Sequence, residues 1–82
     1  MNKKNDLLEN IEKIHTTELG IVRIKRNLEL EINDVVNWCK NEIKKSNNIS
    51  KKGKNWYVVC GEFIITVNAN SYTIITAQKI KL

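Results

Sequence analysis

Apolar positions along this chain change their period once, and the change divides it. Up to about residue 45 they recur every three or four residues; from Asn55 onward they crowd together or alternate. The first regime predicts helices. Leu7, Leu8, Ile11 and Ile14 form one stripe over Asp6 to Ile14 or His15, with Asn5 or Asp6 as cap and Met1–Asn5 as a frayed polar terminus. Leu19, Ile21, Ile24 and Leu28 form a second over Glu18–Asn27, capped by Thr16 or Thr17. Gly20 lowers helix propensity there by about 1 kcal/mol relative to Ala, so it marks a close contact or a kink. The third stripe is the clearest. Val35, Cys39 and Ile43 line up behind a cap at Asn33 or Asp34 and predict a helix to about Lys45, with Trp38 at its flank. Leu28–Ile32 alternates and admits a short strand.

The second regime predicts a sheet. Asn55–Cys60, Phe63–Asn68 and Ser71–Gln78 are rich in Val, Ile, Thr, Tyr and Trp, and Gly61–Glu62 and Ala69–Asn70 are natural two-residue turns. Antiparallel pairing through those turns sets Val58 opposite Ile65 and Ile65 opposite Ile74. Trp56, Val58, Cys60, Phe63, Ile65, Val67, Tyr72 and Ile74 then share an apolar face, with Thr76 on the same side near the sheet edge. Tyr57, Val59, Ile64, Thr66, Thr73, Ile75, Ala77 and Lys79 share a mixed face, which suits a partly solvated surface. Ser46–Lys54 lacks periodicity and reads as a basic loop, and Lys79–Leu82 can extend the last strand.

These readings combine into one α+β domain over residues 1–82. A frayed terminus (1–5) precedes a helical part (6–45), the basic loop (46–54) and an antiparallel sheet of three to four strands (55–82). Two or three helices cover one sheet face. A chain this short buries only about 60% of its unfolded surface, so a shallow surface site is more natural than a deep pocket.

Charge sharpens the division. The net charge is +5, from 14 basic and 9 acidic side chains. Residues 1–42 hold 7 basic and 8 acidic groups, whereas residues 43–82 hold 7 basic groups against Glu62 alone. The sheet half is therefore suited to attract a polyanion such as RNA. Cys39 and Cys60 both fall in apolar patterns and read as buried thiols. With no secretory segment and no 18-residue apolar run, the expectation is a soluble, cytoplasmic chain without a membrane partner.

Few residues are available for chemistry. One histidine and no close Cys/His pairs argue against a metal centre, and isolated glycines argue against a phosphate loop, so no cofactor is expected. Metal-free RNA cleavage asks for less: a base for the 2′-hydroxyl, an acid for the leaving oxygen, and cations for the phosphate. His15 can move the proton. Arg23, Arg26, Lys54, Lys79 and Lys81 supply charge, and Tyr57, Thr66, Thr73 and Thr76 can orient a phosphate. Lys51 and Lys52 extend the basic cluster, and Tyr57 is the one aromatic expected to be free for base stacking. Each has an ordinary structural explanation: helix-end histidine, solvated helix face, strand-forming threonine. A noncatalytic RNA-binding or protein-interaction module stands beside the ribonuclease as a second reading, and Val59, Ile64 and Ile75 offer apolar contacts for self-association or a neutralising partner protein.

The segments IHTTELGIVRIKRNL, DVVNWCK, GKNWYV and ITVNANSYTIITAQK, in that order, resemble a small bacterial family of clostridia and their relatives, domain of unknown function 3781. The likeness covers residues 7–81 and by itself implies no activity. More distantly, helices followed by a basic loop and an antiparallel sheet closing on TIITA are similar to the fold of barnase-like, colicin-type and RelE-type RNase toxins. That likeness implies RNA lying on the exposed sheet face, His15 and Thr76 in catalytic places, and Arg23 and Lys79 as phosphate ligands. Gln78 stands where many relatives in the small family are expected to carry His, which implies an impaired site if that histidine acts chemically.

Overall fold

The computed structural model describes residues 3–80, with side chains from residue 6 onward. Its elements run α1 (Lys3–Glu9), a 3-10 turn (Ile11–Lys13), α2 (Glu18–Leu28), α3 (Val35–Lys45), β1 (Asn48–Lys52), β2 (Asn55–Cys60), β3 (Phe63–Asn68) and β4 (Ile74–Lys79). The four strands form one antiparallel sheet in chain order. The architecture is the α+β arrangement that the change of period predicts.

Capping decides where the helices begin and end. The Thr17 hydroxyl accepts from the Gly20 amide at 3.0 Å, and the Asp34 carboxylate accepts from the Asn37 amide at 3.0 Å. α2 stops where Glu29 turns left-handed (φ 56°) and the Leu30 amide returns to the Lys25 carbonyl at 2.9 Å. That stop makes a strand over Leu28–Ile32 untenable, though Leu30 and Ile32 still pack on the core. The first helix differs most from expectation. It already includes Lys3–Asn5, and it breaks at Asn10, whose side-chain amide donates to the Asp6 carbonyl at 2.8 Å. Met1, Asn2, Lys81 and Leu82 lie outside the described residues.

Two corrections concern the sheet. Within the presumed loop 46–54, Asn48–Lys52 forms β1, paired with β2 from Asn48↔Val59 to Lys52↔Asn55. Gly53 (φ 63°) supplies the positive φ that its two-residue turn needs. The second correction is the β3–β4 connection, which is longer than Ala69–Asn70. The Asn68 carboxamide oxygen accepts from the Asn70 and Ser71 amides at 2.9 and 3.0 Å, and the Asn68 amide meets the Thr73 carbonyl at 2.8 Å. Ile74 therefore pairs with Val67, not Ile65. The register then shifts again, because Thr66 pairs with Thr76 and leaves Ile75 as an extra residue. That bulge exchanges the faces of the last strand residues. Thr76 joins Thr66 on the mixed face, while Ala77 and Lys79 turn to the helix side opposite Ile65 and Phe63.

All helices cover the same sheet face. Leu7, Ile14, Ile24, Leu28, Val35, Cys39 and Ile43 form one core with Ile49, Trp56, Val58, Cys60, Ile65, Val67, Ile74 and Ala77. Phe63 stacks on Trp38 at 5.2 Å. Both cysteines are free and buried, and burial pushes the Cys39 thiol up to about 12 and the Cys60 thiol up to about 11. Tyr57, Val59, Ile64 and Ile75 belong neither to the core nor to the residues packed against it. Their face is the open one. No helix among the described residues is long and apolar enough to cross a membrane.

The two sheet edges differ. Beside β4, His15 forms a parallel bridge with Thr73, the Thr16 hydroxyl donates to the Ile74 carbonyl at 3.0 Å, and Asn27 donates to the Ala77 carbonyl at 3.2 Å. Side chains around α2 thus satisfy backbone acceptors that an edge leaves free. β1 pairs with β2 alone.

Candidate nucleic-acid interface

Cross-strand partners share a face, so the register lays out the open side row by row. One row holds Asn48, Val59, Ile64 and Gln78; the next holds Ser50, Tyr57, Thr66 and Thr76; the third holds Lys52, Asn55 and Asn68. None of these residues is acidic. Hydroxyls and carboxamides dominate, with one tyrosine at the centre. Thr66 is only 8% exposed, since Tyr57 and Thr76 flank it across the strands. Its burial comes from neighbours in the sheet.

At the end bearing the Gly53–Lys54 turn, polar groups concentrate. The Ala69 amide donates to the Lys54 carbonyl at 2.7 Å and ties the two turns together. His15 is exposed here, on the same face as its bridge partner Thr73. Its Nδ1 lies 2.9 Å from the Lys13 carbonyl, and its Nε2 lies 3.1 Å from Thr73 Oγ1. A carbonyl only accepts, so Nδ1 donates to it, which leaves Nε2 as the nitrogen that faces the Thr73 hydroxyl. Thr73 Oγ1 in turn lies 2.7 Å from Ser71 Oγ, which lies 3.2 Å from Asn68 Oδ1. One imidazole nitrogen is anchored while the other addresses a hydroxyl. That is the arrangement a general base requires.

The other sequence candidates scatter around this point. Thr76 lies three residues farther along β4, roughly 10 Å away at about 3.3 Å per residue. Lys79 lies six residues away, at the opposite strand end and on the helix side, where its Nζ meets a Glu29 carboxylate oxygen at 3.4 Å. It does not share a site with His15. Arg23 falls on the α2 stripe 16, 20, 23, 27 between Thr16 and Asn27, the residues that bond β4, so it flanks the strand near Ile75 and Thr76. Arg26 is turned farther outward and exposed. Among the described residues neither arginine forms an ion pair. Lys52 and Lys54 border the open face, Lys51 belongs to the helix side, and Lys81 is outside the described residues. Val59 and Ile64 are direct partners, but the threonine row separates them from Ile75, which is 45% exposed at the bulge. They do not form one apolar patch.

Asn68, Ser71 and Lys13 were not singled out from the sequence, yet they complete the histidine's surroundings. The signal for the first two was the turn-forming run NANS, whose polar side chains here bond to each other as well as to the backbone. For Lys13 no local signal existed, because its contribution is a backbone carbonyl.

The profile of the family described as Protein of unknown function (DUF3781) matches residues 8–78. The chain belongs to that family. No curated protein and no solved structure matches it. These comparisons give no support to the expected likeness to barnase-like, colicin-type and RelE-type toxins.

Proposed function

We propose that this member of the DUF3781 family binds single-stranded RNA across the open face of its sheet. The observation that carries the reading is the absence of any carboxylate from the three cross-strand rows, beside Lys52 and Lys54 at one end. Phosphates are attracted by those lysines, and hydroxyls and carboxamides offer hydrogen bonds to sugars and base edges. Tyr57 provides one stacking surface at the centre. A flat face of this kind suits an extended strand better than a small enclosed substrate.

Metal-independent cleavage is the second reading, favoured by the anchored His15. A substrate 2′-hydroxyl in the place of the Thr73 hydroxyl would give its proton to Nε2. Its oxygen would then form a bond to phosphorus as the bond to the 5′-oxygen breaks, with water protonating the leaving group.

Fluorescence anisotropy with a labelled single-stranded RNA, repeated over a salt series, tests the binding reading. Affinity is expected to fall linearly in log–log form, with a slope near −0.7 for each phosphate contact. Lys52→Glu combined with Lys54→Glu should weaken binding at least tenfold, about 1.4 kcal/mol, without changing the circular dichroism spectrum. No binding at low salt, or binding indifferent to both changes, overturns the proposal. Incubating the RNA with wild type and His15→Ala in the presence of a chelator tests cleavage. Loss of activity in the variant supports the second reading; no cleavage, or equal cleavage, removes it.

A further inference from the structure

On the helix side, beneath the same two turns, lies a cleft of about 360 Å³ bordered by Asp6, Asn10, Lys51, Trp56, Asn70 and Tyr72. Asp6 and Lys51 bring opposite charges to it, and among the described residues neither forms an ion pair. The Asn10 amide nitrogen is spent on the Asp6 carbonyl, which leaves its side-chain oxygen as an acceptor. Trp56 is only 3% exposed, and its indole N–H is a buried donor with no hydrogen-bond partner. Buried donors are nearly always satisfied, so an unmet one in a cleft wall points to an acceptor that belongs there. Tyr72 packs on Trp56 at 5.4 Å and holds a left-handed φ of 59°, strained for a bulky residue. An orphan donor, a strained aromatic and an unmatched charge pair thus meet at one place.

The chemistry of the walls narrows the ligand. A simple anion satisfies Lys51 but faces the Asp6 carboxylate. A simple cation has the reverse difficulty, and an apolar body would strip water from four polar side chains without replacing it. A molecule carrying both charges satisfies both ends. We propose that the cleft binds a small zwitterion with the head group of a free α-amino acid. Its carboxylate lies toward Lys51 and the Trp56 indole, and its ammonium lies toward Asp6 and the Asn10 side-chain oxygen. Because the indole nitrogen is closed off from solvent, contact with it requires the cleft wall to rearrange. This inference is independent of RNA binding, which uses the other sheet face.

The two indole N–H resonances of Trp38 and Trp56, assigned with a Trp56→Phe variant, provide the readout. Glycine and alanine should move the Trp56 signal saturably and leave that of Trp38 in place. Acetate or methylammonium alone should act at least tenfold more weakly, as should either amino acid on Asp6→Asn or Lys51→Gln protein. Asp6→Asn preserves side-chain shape and Lys51→Gln removes the charge from a slightly shorter chain, and an unchanged thermal melt excludes loss of the fold as the cause. The proposal is overturned by absence of a saturable shift, by an equal response to acetate, or by unchanged affinity in both variants.

Discussion

Ile65 and Thr66 are consecutive residues of one strand, and the sheet treats them in opposite ways. Ile65 is fully buried beneath helices; Thr66 is 8% exposed with no helix above it. Similar burial therefore has two origins. On the helix side, burial excludes water and contributes stability. On the open side, neighbouring side chains merely crowd together, and the surface remains available for contact. The contrast explains how one small domain keeps both a core and a broad polar platform.

The largest expected effect tests the helix side. Ile65→Ala should lower unfolding free energy by about 3–4 kcal/mol, whereas Thr66→Ala should lose less than about 1 kcal/mol. Chemical denaturation measures both, and comparable losses would mean that the open face is covered. Gly20→Ala comes next. In an ordinary helix it would stabilise by about 1 kcal/mol, but here the new methyl collides with Thr16 Oγ1, whose bond to the Ile74 carbonyl seals β4. A loss of roughly 1–3 kcal/mol is expected, with the sign itself as the test.

The thiols provide a pH test of the same core. Folding raises the Cys39 pKa from 9.0 to about 12 and that of Cys60 to about 11, in both cases chiefly through burial. Between pH 9 and these values the native state holds more protons than the unfolded chain. Their contribution is thus complete below pH 9 and declines as pH rises, for Cys39 by at most about 1.4 kcal/mol per pH unit. A Cys39→Ala, Cys60→Ala double variant should show a shallower alkaline decline; an identical slope would refute the assignment. The smallest effect is expected on the open face. Tyr57→Ala should weaken RNA binding several-fold, while a Lys52→Ala control changes stability by less than about 0.5 kcal/mol.

Much of the fold was legible because its long-period signals are local. The Thr17 and Asp34 caps, the α3 stripe and the β2–β3 pairing all depend on neighbouring residues. β1 was hidden because NISKK offers a single buried residue, Ile49, and an edge strand needs little apolar pattern. The β3–β4 register was misplaced because Asn68 organises a longer turn than its two successors indicate, and because nothing in ITAQK announces a bulge. For the site, His15 and Thr73 were each recognisable as residue types. Their contact was not, since 58 positions separate them and a parallel bridge unites them. Lys79 was drawn away by Glu29 at the far end of the strand.

Ile75 behaves like a frameshift written into the backbone. The same letters paired without that slip, Ile75 beside Thr66, would present Ala77 and Lys79 to solvent and tuck Thr76 beneath α2. Such a strand would trade a hydroxyl of the ladder for a methyl and an ammonium with no letter changed.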